Sequence, residues 1–125
     1  MDANDTLGLT AALLLALPLA LVRCAWSEAV ALADHLGRVA VHRQNPAALI
    51  AAASGHATAT LGLGDPDSAV TALLACGQFL GALGEGPALS LVQARLAEVR
   101  ARLGESDFEA VASRATSRLD AEKPR

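Results

Sequence analysis

The chain is 125 residues long, carries a net charge of −3 and is 53% hydrophobic but only 2% aromatic. This length is enough for one domain with a modest core, and the acidic balance disfavours contact with the phosphates of a nucleic acid. Alanine, leucine and valine supply most of the apolar content, tyrosine is absent, and nine of the ten basic residues are arginine. Because alanine and leucine favour helices whereas large aromatic residues favour strands, the composition predicts an all-α protein.

The first helix is apolar on every side. The segment from Thr6 to Val22 contains no charged residue, and leucine and alanine recur around the whole helix as far as Cys24. Pro18 removes a backbone hydrogen bond, so a kink or two shorter helices are expected there. The segment is shorter than the roughly 20 residues that cross a bilayer, and the acids before it oppose a secretory signal. A buried helix is therefore predicted, with a membrane anchor from Leu7 to Val22 as the alternative.

The second and third helices carry clear start and stop signals. The second spans residues 27–43, and the third begins at the Asn45-Pro46 cap and ends at Gly62 and Gly64. The expected buried residues are Ala29, Ala33, Leu36 and Ala40 on the second helix and Ile50, Ala53, Ala57 and Leu61 on the third. The expected exposed residues of the second helix are Glu28, Asp34, Arg38 and Arg43, with Asp34 and Arg38 spaced to form an ion pair.

The fourth and fifth helices are separated by the loosest link in the chain. Asp65 caps the fourth helix, Pro66 occupies its first turn, and the glycine-rich segment 84–87 is a predicted hinge before a fifth helix over residues 87–103. The expected buried residues are Ala69, Val70, Leu73, Leu74 and Cys76 on the fourth helix and Leu89, Val92, Leu96, Val99 and Leu103 on the fifth.

The sixth helix follows Gly104. Ser106 and Glu109 have the spacing of a capping box, which predicts that the helix begins at this point. Its expected buried face consists of Phe108, Val111, Ala112, Ala115 and Leu119. Residues 120–125 are mostly charged and are predicted to form a flexible tail.

The spacing of Ala-Val pairs indicates an internal repeat. The pairs recur at positions 29–30, 69–70 and 110–111, in steps of 40 and 41 residues, and turn signals recur with them. Such a period is typical of stacked helical hairpins, so the sequence predicts one domain, a short right-handed stack of the tetratricopeptide type. Within this domain, residues 1–119, the six helices form three antiparallel hairpins over residues 7–43, 46–83 and 87–119.

Two resemblances support this architecture. The small residues Ala57 and Ala69, followed by Leu73 and Cys76, fit part of the tetratricopeptide pattern. Three further segments resemble a family of larger proteins. They are residues 73–84, which begin with Leu-Leu-Ala-Cys-Gly, residues 96–105, Leu-Ala-Glu-Val-Arg-Ala-Arg-Leu-Gly-Glu, and residues 108–110, Phe-Glu-Ala. This family comprises the large bacterial LuxR-type regulators, which join an ATPase module and a helix-turn-helix domain to a tetratricopeptide-like C-terminal region.

The family resemblance implies a scaffold for sensing and protein contacts in transcription regulation, without catalytic residues. The chain departs from the family in lacking an ATP-binding glycine-lysine loop and a convincing helix-turn-helix reader. It also has Thr116-Ser117-Arg118-Leu119 where the family usually ends in Gly-x-x-Leu. The resemblance therefore implies a detached or truncated sensor segment.

The histidines do not form a recognisable metal site. His35 and His42 share a helix face with Arg38, but a metal would require a third ligand nearby. His56 lies among alanines and is expected to form a hydrogen bond at a helix interface.

The acids and cysteines also have structural explanations. Asp65 and Asp67 stand at a helix start, where they cap the helix and favour its dipole. Cys24 and Cys76 each lie within a helical pattern and are predicted to be free thiols in a reducing cytoplasm. With no Gly-x-Ser-x-Gly elbow either, the sequence predicts no enzyme, no cofactor and no metal.

The predicted function is protein interaction. The first helix is apolar all round and one neighbouring pair cannot cover it, so a second copy of the chain is the simplest cover. The predicted interaction surface consists of Leu7, Leu14, Leu17 and Leu21, with Arg95 and Arg102 as a rim for an acidic partner. Because Glu98 lies between these two arginines, the alternative for them is a salt-bridged face exposed to solvent. A cytoplasmic homodimer that does not contact nucleic acid is therefore expected.

Three alternatives remain open. The first is a small membrane-associated protein anchored by the first helix. The second is a small-molecule site between hairpins, which the low aromatic content disfavours because pockets usually use rings for contact area. The third is a remnant without a present function.

Overall fold

A computed structural model of the chain describes residues 3–122, with side chains placed from residue 8 to residue 121. Across the described residues the chain is all-α, as predicted, and contains no strand. The six helices are α1 (Ala3–Val22), α2 (Trp26–His42), α3 (Pro46–Gly62), α4 (Pro66–Ala82), α5 (Gly86–Leu103) and α6 (Glu105–Glu122). Helix α6 thus includes part of the predicted tail, and Lys123 to Arg125 lie outside the described residues.

The helices end at a regular interval of twenty residues. Cys24, Gln44, Gly64, Gly84 and Gly104 all have a positive φ, and successive members of this series are twenty positions apart. Each of the first four closes its helix in the same way. In the second, for example, the N–H of Gln44 donates to Val41 O at 3.1 Å and the N–H of Asn45 to Ala40 O at 2.9 Å. This pair of bonds is a Schellman motif, which satisfies the last carbonyls of the helix and turns the chain back on itself. The 40-residue repeat therefore consists of two 20-residue units, each a helix followed by a turn.

The predicted caps form at the start of α3 and α4. Asn45 Oδ1 accepts a hydrogen bond from Ala48 N at 3.2 Å, and Asp65 Oδ1 accepts one from Ser68 N at 3.1 Å. Both helices have proline in the first turn, where its missing N–H is not needed. The local sequence therefore decides where these two helices begin.

Two predicted boundaries are not found. Of the alternatives predicted at Pro18, a kink or two shorter helices, the second does not occur, because helix α1 is continuous through Pro18. Helix α6 begins at Glu105, which places Ser106 inside the helix and not at a capping box. A single residue, Gly104, joins α5 to α6, with φ 90° and ψ 155°. Only one residue separates the two helices, so there is no room for the longer turn used at the other four joints.

The helices stack in order, with two departures from a regular series of hairpins. Each helix contacts the next, and α1, α3 and α5 also contact their neighbours within one layer. In the opposite layer α2 and α4 do not contact one another across the described part of the chain, although α4 and α6 do. Helix α6 packs more extensively on α4 than on α5, so the last pair is not a simple hairpin. These departures leave an opening between α2 and α4.

The core is built largely from alanine, leucine and valine. On α2 the four predicted residues Ala29, Ala33, Leu36 and Ala40 are buried, and Glu28, Asp34, Arg38 and Arg43 are exposed, which confirms the prediction for this helix.

Glycine permits two close contacts between helices. A Cβ added to Gly55 would lie 2.6 Å from Leu17 Cδ2, and one added to Gly62 would lie 2.4 Å from Trp26 Cε2. Gly62 therefore does not form the turn; it is the helical residue against which the tryptophan packs.

A polar contact joins α6 to α4. Arg114 Nε donates to Asp67 Oδ2 at 3.0 Å, and Arg114 Nη2 donates to Asp67 Oδ1 at 2.8 Å. These hydrogen bonds lower the pKa of Asp67 and raise that of Arg114. Asp67 therefore does more than favour the dipole of α4, since it also forms an exposed ion pair with α6.

Candidate interaction surfaces

Helix α1 has two apolar faces with different surroundings. Leu13, Leu17 and Ala20 are buried against α2 and α3. Leu15, Leu19 and Val22 are 72%, 62% and 81% exposed. Their spacing of four and three residues places these last three side chains on one face. We call Leu15, Leu19 and Val22 the outer ridge.

The leucines of α1 that the sequence predicts for the interaction surface do not belong to the outer ridge. Leu17 is only 3% exposed and belongs to the core, so its assignment to a free surface is wrong. Leu14 is at the border of exposure and Leu21 is half-buried. The side chain of Leu7 lies outside the described part of α1. With leucine on every side, the sequence of α1 does not distinguish its inner face from its outer one.

Four of the six predicted surface residues nevertheless come together. Leu14, Leu17, Leu21 and Arg95 line a cleft of about 280 Å³ between α1 and α5, above α3. Arg102 lines an adjoining pocket of about 90 Å³ with Arg95.

The cleft does not present a free positive charge at Arg95. Arg95 Nη1 donates to both carboxylate oxygens of Glu98, at 3.0 and 3.1 Å. Ser54 Oγ is enclosed nearby and has no hydrogen-bond partner among the described residues. At Arg95 the structure therefore confirms the alternative prediction, an exposed salt bridge with Glu98, and this charge is already paired.

A larger groove lies on the opposite side of α3, between α2 and α4. It has a volume of about 590 Å³ and results from the separation of these two helices. Six of the residues that line it are alanine or glycine: Ala33, Gly37, Ala52, Ala53, Ala72 and Ala75. Val41, Leu49 and Phe79 are the large apolar residues of the groove. The groove does not depend on aromatic residues, because its alanine and glycine residues leave space between the helices.

The polar groups of the groove lie on its α2 side. Asp34 Oδ1 is 3.6 Å from His56 Nε2, so the aspartate faces the histidine across the α2–α3 interface. The predicted Asp34–Arg38 ion pair does not form, and Arg38 has no ion-pair partner within the described residues. His56 Nδ1 is enclosed and lacks a hydrogen-bond partner in the same part of the chain. The α4 side is uncharged, since residues 68–84 contain no acid, lysine or arginine.

The two cysteines differ in their surroundings. Cys76 is buried beside the groove, with Sγ 4.0 Å from Leu49 O, as expected for a small apolar residue. Burial raises the pKa of its thiol to about 11, so the thiol stays protonated and unreactive at neutral pH. Cys24 is exposed and lies in the turn after α1, not within a helix as predicted. Both cysteines are free.

Within the described residues, no group of three or more histidine, cysteine, aspartate or glutamate side chains is placed to hold a metal ion. In the same part of the chain, no helix combines the length and the apolarity needed to cross a membrane.

The geometry defines an all-α protein built as a short stack of helical hairpins with two open apolar surfaces, the outer ridge and the groove. No family model, curated protein or solved structure matches the chain.

Proposed function

We propose that the chain is a non-enzymatic protein-interaction segment that associates with itself through the outer ridge of α1. The exposure of Leu15, Leu19 and Val22 on a helix whose opposite face is core carries this proposal. Fully burying a leucine or valine side chain is worth roughly 1.5–3 kcal/mol. An exposed ion pair such as Arg95–Glu98 contributes only about 0.2–1 kcal/mol, so the ridge outweighs the arginines as an interaction surface.

The fold supports self-association because the outer face of each end of a helical stack must be polar if it is to remain in contact with water. Helix α6 presents acids, serines and arginines at its end of the stack, whereas α1 presents leucine and valine. Covering the ridge with another copy of the chain removes the apolar surface from water without any further component. A homodimer is the smallest assembly that does so.

The biological setting we propose is cytoplasmic and regulatory. The resemblance to the C-terminal region of LuxR-type regulators covers segments that lie on α4, α5 and the start of α6. A stack of helical hairpins is a suitable scaffold for the sensing and protein contacts that this resemblance implies. The ridge would then bring two such segments together without a catalytic step.

The proposal is tested by light scattering coupled to size-exclusion chromatography over a range of protein concentrations, without detergent. The wild-type chain should exceed the 12.7 kDa of one copy, whereas Leu19→Glu should elute as a 12.7 kDa monomer. Leu91→Glu is the matched control, because Leu91 is a leucine on α5 with a similar exposure of 57%. This control should associate like the wild type.

Two results would reject self-association through α1. One is a wild-type monomer at every concentration, and the other is a Leu19→Glu variant that associates as strongly as the wild type. Membrane association is the competing explanation for the ridge, since an uncharged apolar face also suits a lipid surface. Flotation of the wild-type chain with phosphatidylcholine vesicles, lost in Leu19→Glu, together with monomeric behaviour in their absence would favour that explanation.

A further inference from the structure

We infer that the outer ridge of one copy binds in the groove between α2 and α4 of another copy. This inference rests on the proposed self-association and identifies the surface that receives the ridge. It differs from a contact between two α1 helices, in which both grooves would remain open. The argument uses the length, the side-chain sizes and the charges of the two surfaces.

The ridge and the groove have the same length. Leu15 and Val22 are seven residues apart on α1, and Leu49 and His56, at the two ends of the groove floor, are seven residues apart on α3. At 1.5 Å per helical residue, each distance is about 10 Å, or two helical turns. Two turns with anchors at positions i, i+4 and i+7 match the usual way in which a helix binds in an apolar groove.

The side chains of the two surfaces are complementary in size. The ridge presents two leucines and a valine, whereas six of the groove residues are alanine or glycine. Small side chains let another helix approach closely, and large side chains then fill the remaining space. A contact between two ridges would bury leucine against leucine but would leave the apolar groove of each copy in water.

The charges also permit this contact. The ridge carries no charge, and the α4 side of the groove has none between residues 68 and 84. Asp34 and Arg38 are exposed on α2 at the opposite edge, where they can keep contact with water. Binding the ridge along the α4 side therefore removes apolar surface from water without burying an unpaired charge.

The ridge must come from another copy. Within one chain the inner face of α1 packs on α2 and α3, so the outer ridge points away from its own groove. Every copy has one ridge and one groove. Reciprocal binding between two copies closes a two-fold dimer, whereas binding in one direction adds further copies.

The test uses one variant in each surface. Leu19→Glu places a charge on the ridge, and Ala75→Glu places a charge in the groove at an exposed position of α4. Ala94→Glu, the same change at an exposed position of α5, is the control. Each surface variant should behave as a 12.7 kDa monomer on its own, and the control should associate like the wild type. Circular dichroism checks the fold, and Val41→Glu provides a second groove variant if Ala75→Glu does not fold.

Mixing the two variants gives the decisive measurement. The Ala75→Glu chain keeps an intact ridge and the Leu19→Glu chain keeps an intact groove, so an equimolar mixture should form a 1:1 pair. The pair should have a mass of about 25 kDa, twice the 12.7 kDa of one chain. A contact between two ridges predicts a different result: Ala75→Glu, whose ridge is intact, should dimerise without the other variant, and Leu19→Glu should stay a monomer both alone and in the mixture.

The remaining outcomes separate this inference from the proposed function. If the folded groove variant associates normally while Leu19→Glu is a monomer, the ridge has another partner surface; the inference then fails and the proposed function stands. If the mixture of the two monomeric variants does not associate, the inference also fails. If both variants associate like the wild type, the inference and the proposed function fail together.

Discussion

The two ends of the helical stack have opposite surfaces. Helix α6 exposes polar residues such as Glu109, Ser113 and Arg118, whereas α1 exposes Leu15 and Leu19. A terminal helix with a polar outer face can remain in contact with water, whereas one with an apolar outer face leaves apolar surface that favours further contact. The comparison shows that the outermost described helices differ in polarity: α6 presents a polar face to water, whereas α1 presents an apolar one.

The largest expected effect distinguishes the inner face of α1 from its outer ridge. Leu17→Ala should lower the free energy of unfolding by about 2–5 kcal/mol, because it leaves a cavity against α3 at Gly55. Leu15→Ala should change it by less than about 0.5 kcal/mol. Urea denaturation measures both, in the Leu19→Glu background so that association does not contribute. Equal costs at the two positions would contradict the division of α1 into two faces.

An intermediate effect compares the first and last joints of the stack. Gly104 has φ 90° and ψ 155°, a conformation that side chains strongly disfavour, so Gly104→Ala should cost about 1–3 kcal/mol. Cys24 has φ 56°, which also disfavours a side chain, so Cys24→Gly should stabilise the chain by up to about 1 kcal/mol. Thermal unfolding followed by circular dichroism should show shifts of opposite sign. A loss of stability in both variants would show that the first joint is not strained.

The smallest effect concerns the ion pair that holds α6 on α4. Arg114 lowers the pKa of Asp67 in the folded chain below its usual value of 3.8. The pair therefore stabilises the fold above pH 3.8, and this contribution is lost as the pH falls through the lower pKa of the folded state.

Arg114→Gln should remove this dependence and cause a small loss of stability at neutral pH, because the pair is exposed to solvent. Thermal unfolding from pH 6 down to about pH 2 measures the dependence, since carboxylate pairs lose their charge in this range. Arg102→Gln, which changes another exposed arginine, is the control. An acid profile identical to that of the wild type would show that the Asp67–Arg114 contact does not stabilise the fold.

Where polar and apolar residues alternate at helical spacing, the sequence was sufficient to predict the structure. The buried and exposed residues of α2 follow directly from this pattern, and the caps at Asn45 and Asp65 mark two helix starts. In α1 every side is apolar, so periodicity gives no orientation and the prediction placed the buried Leu17 on the surface.

The other differences between prediction and structure have separate physical causes. The twenty-residue interval was not recognised because two of its turn positions hold Cys24 and Gln44, where glycine is the usual signal. The contact between Asp67 and Arg114 joins positions 47 residues apart, which no helical spacing relates. The groove depends on the separation of α2 and α4, a property of the assembled stack rather than of any one helix.

The repeated turns also have a consequence for how the chain folds. Each of the first four joints is closed by hydrogen bonds between residues only a few positions apart, and each helix contacts the next one in sequence. Such short loops cost little entropy to close, so neighbouring helices can form and pair before distant parts of the chain meet. The expected folding time is on the order of microseconds to milliseconds, as in other helical proteins dominated by local contacts. The outer ridge on α1 and the groove between α2 and α4, which we propose to bind one another, are therefore expected to be complete within each chain before two chains meet.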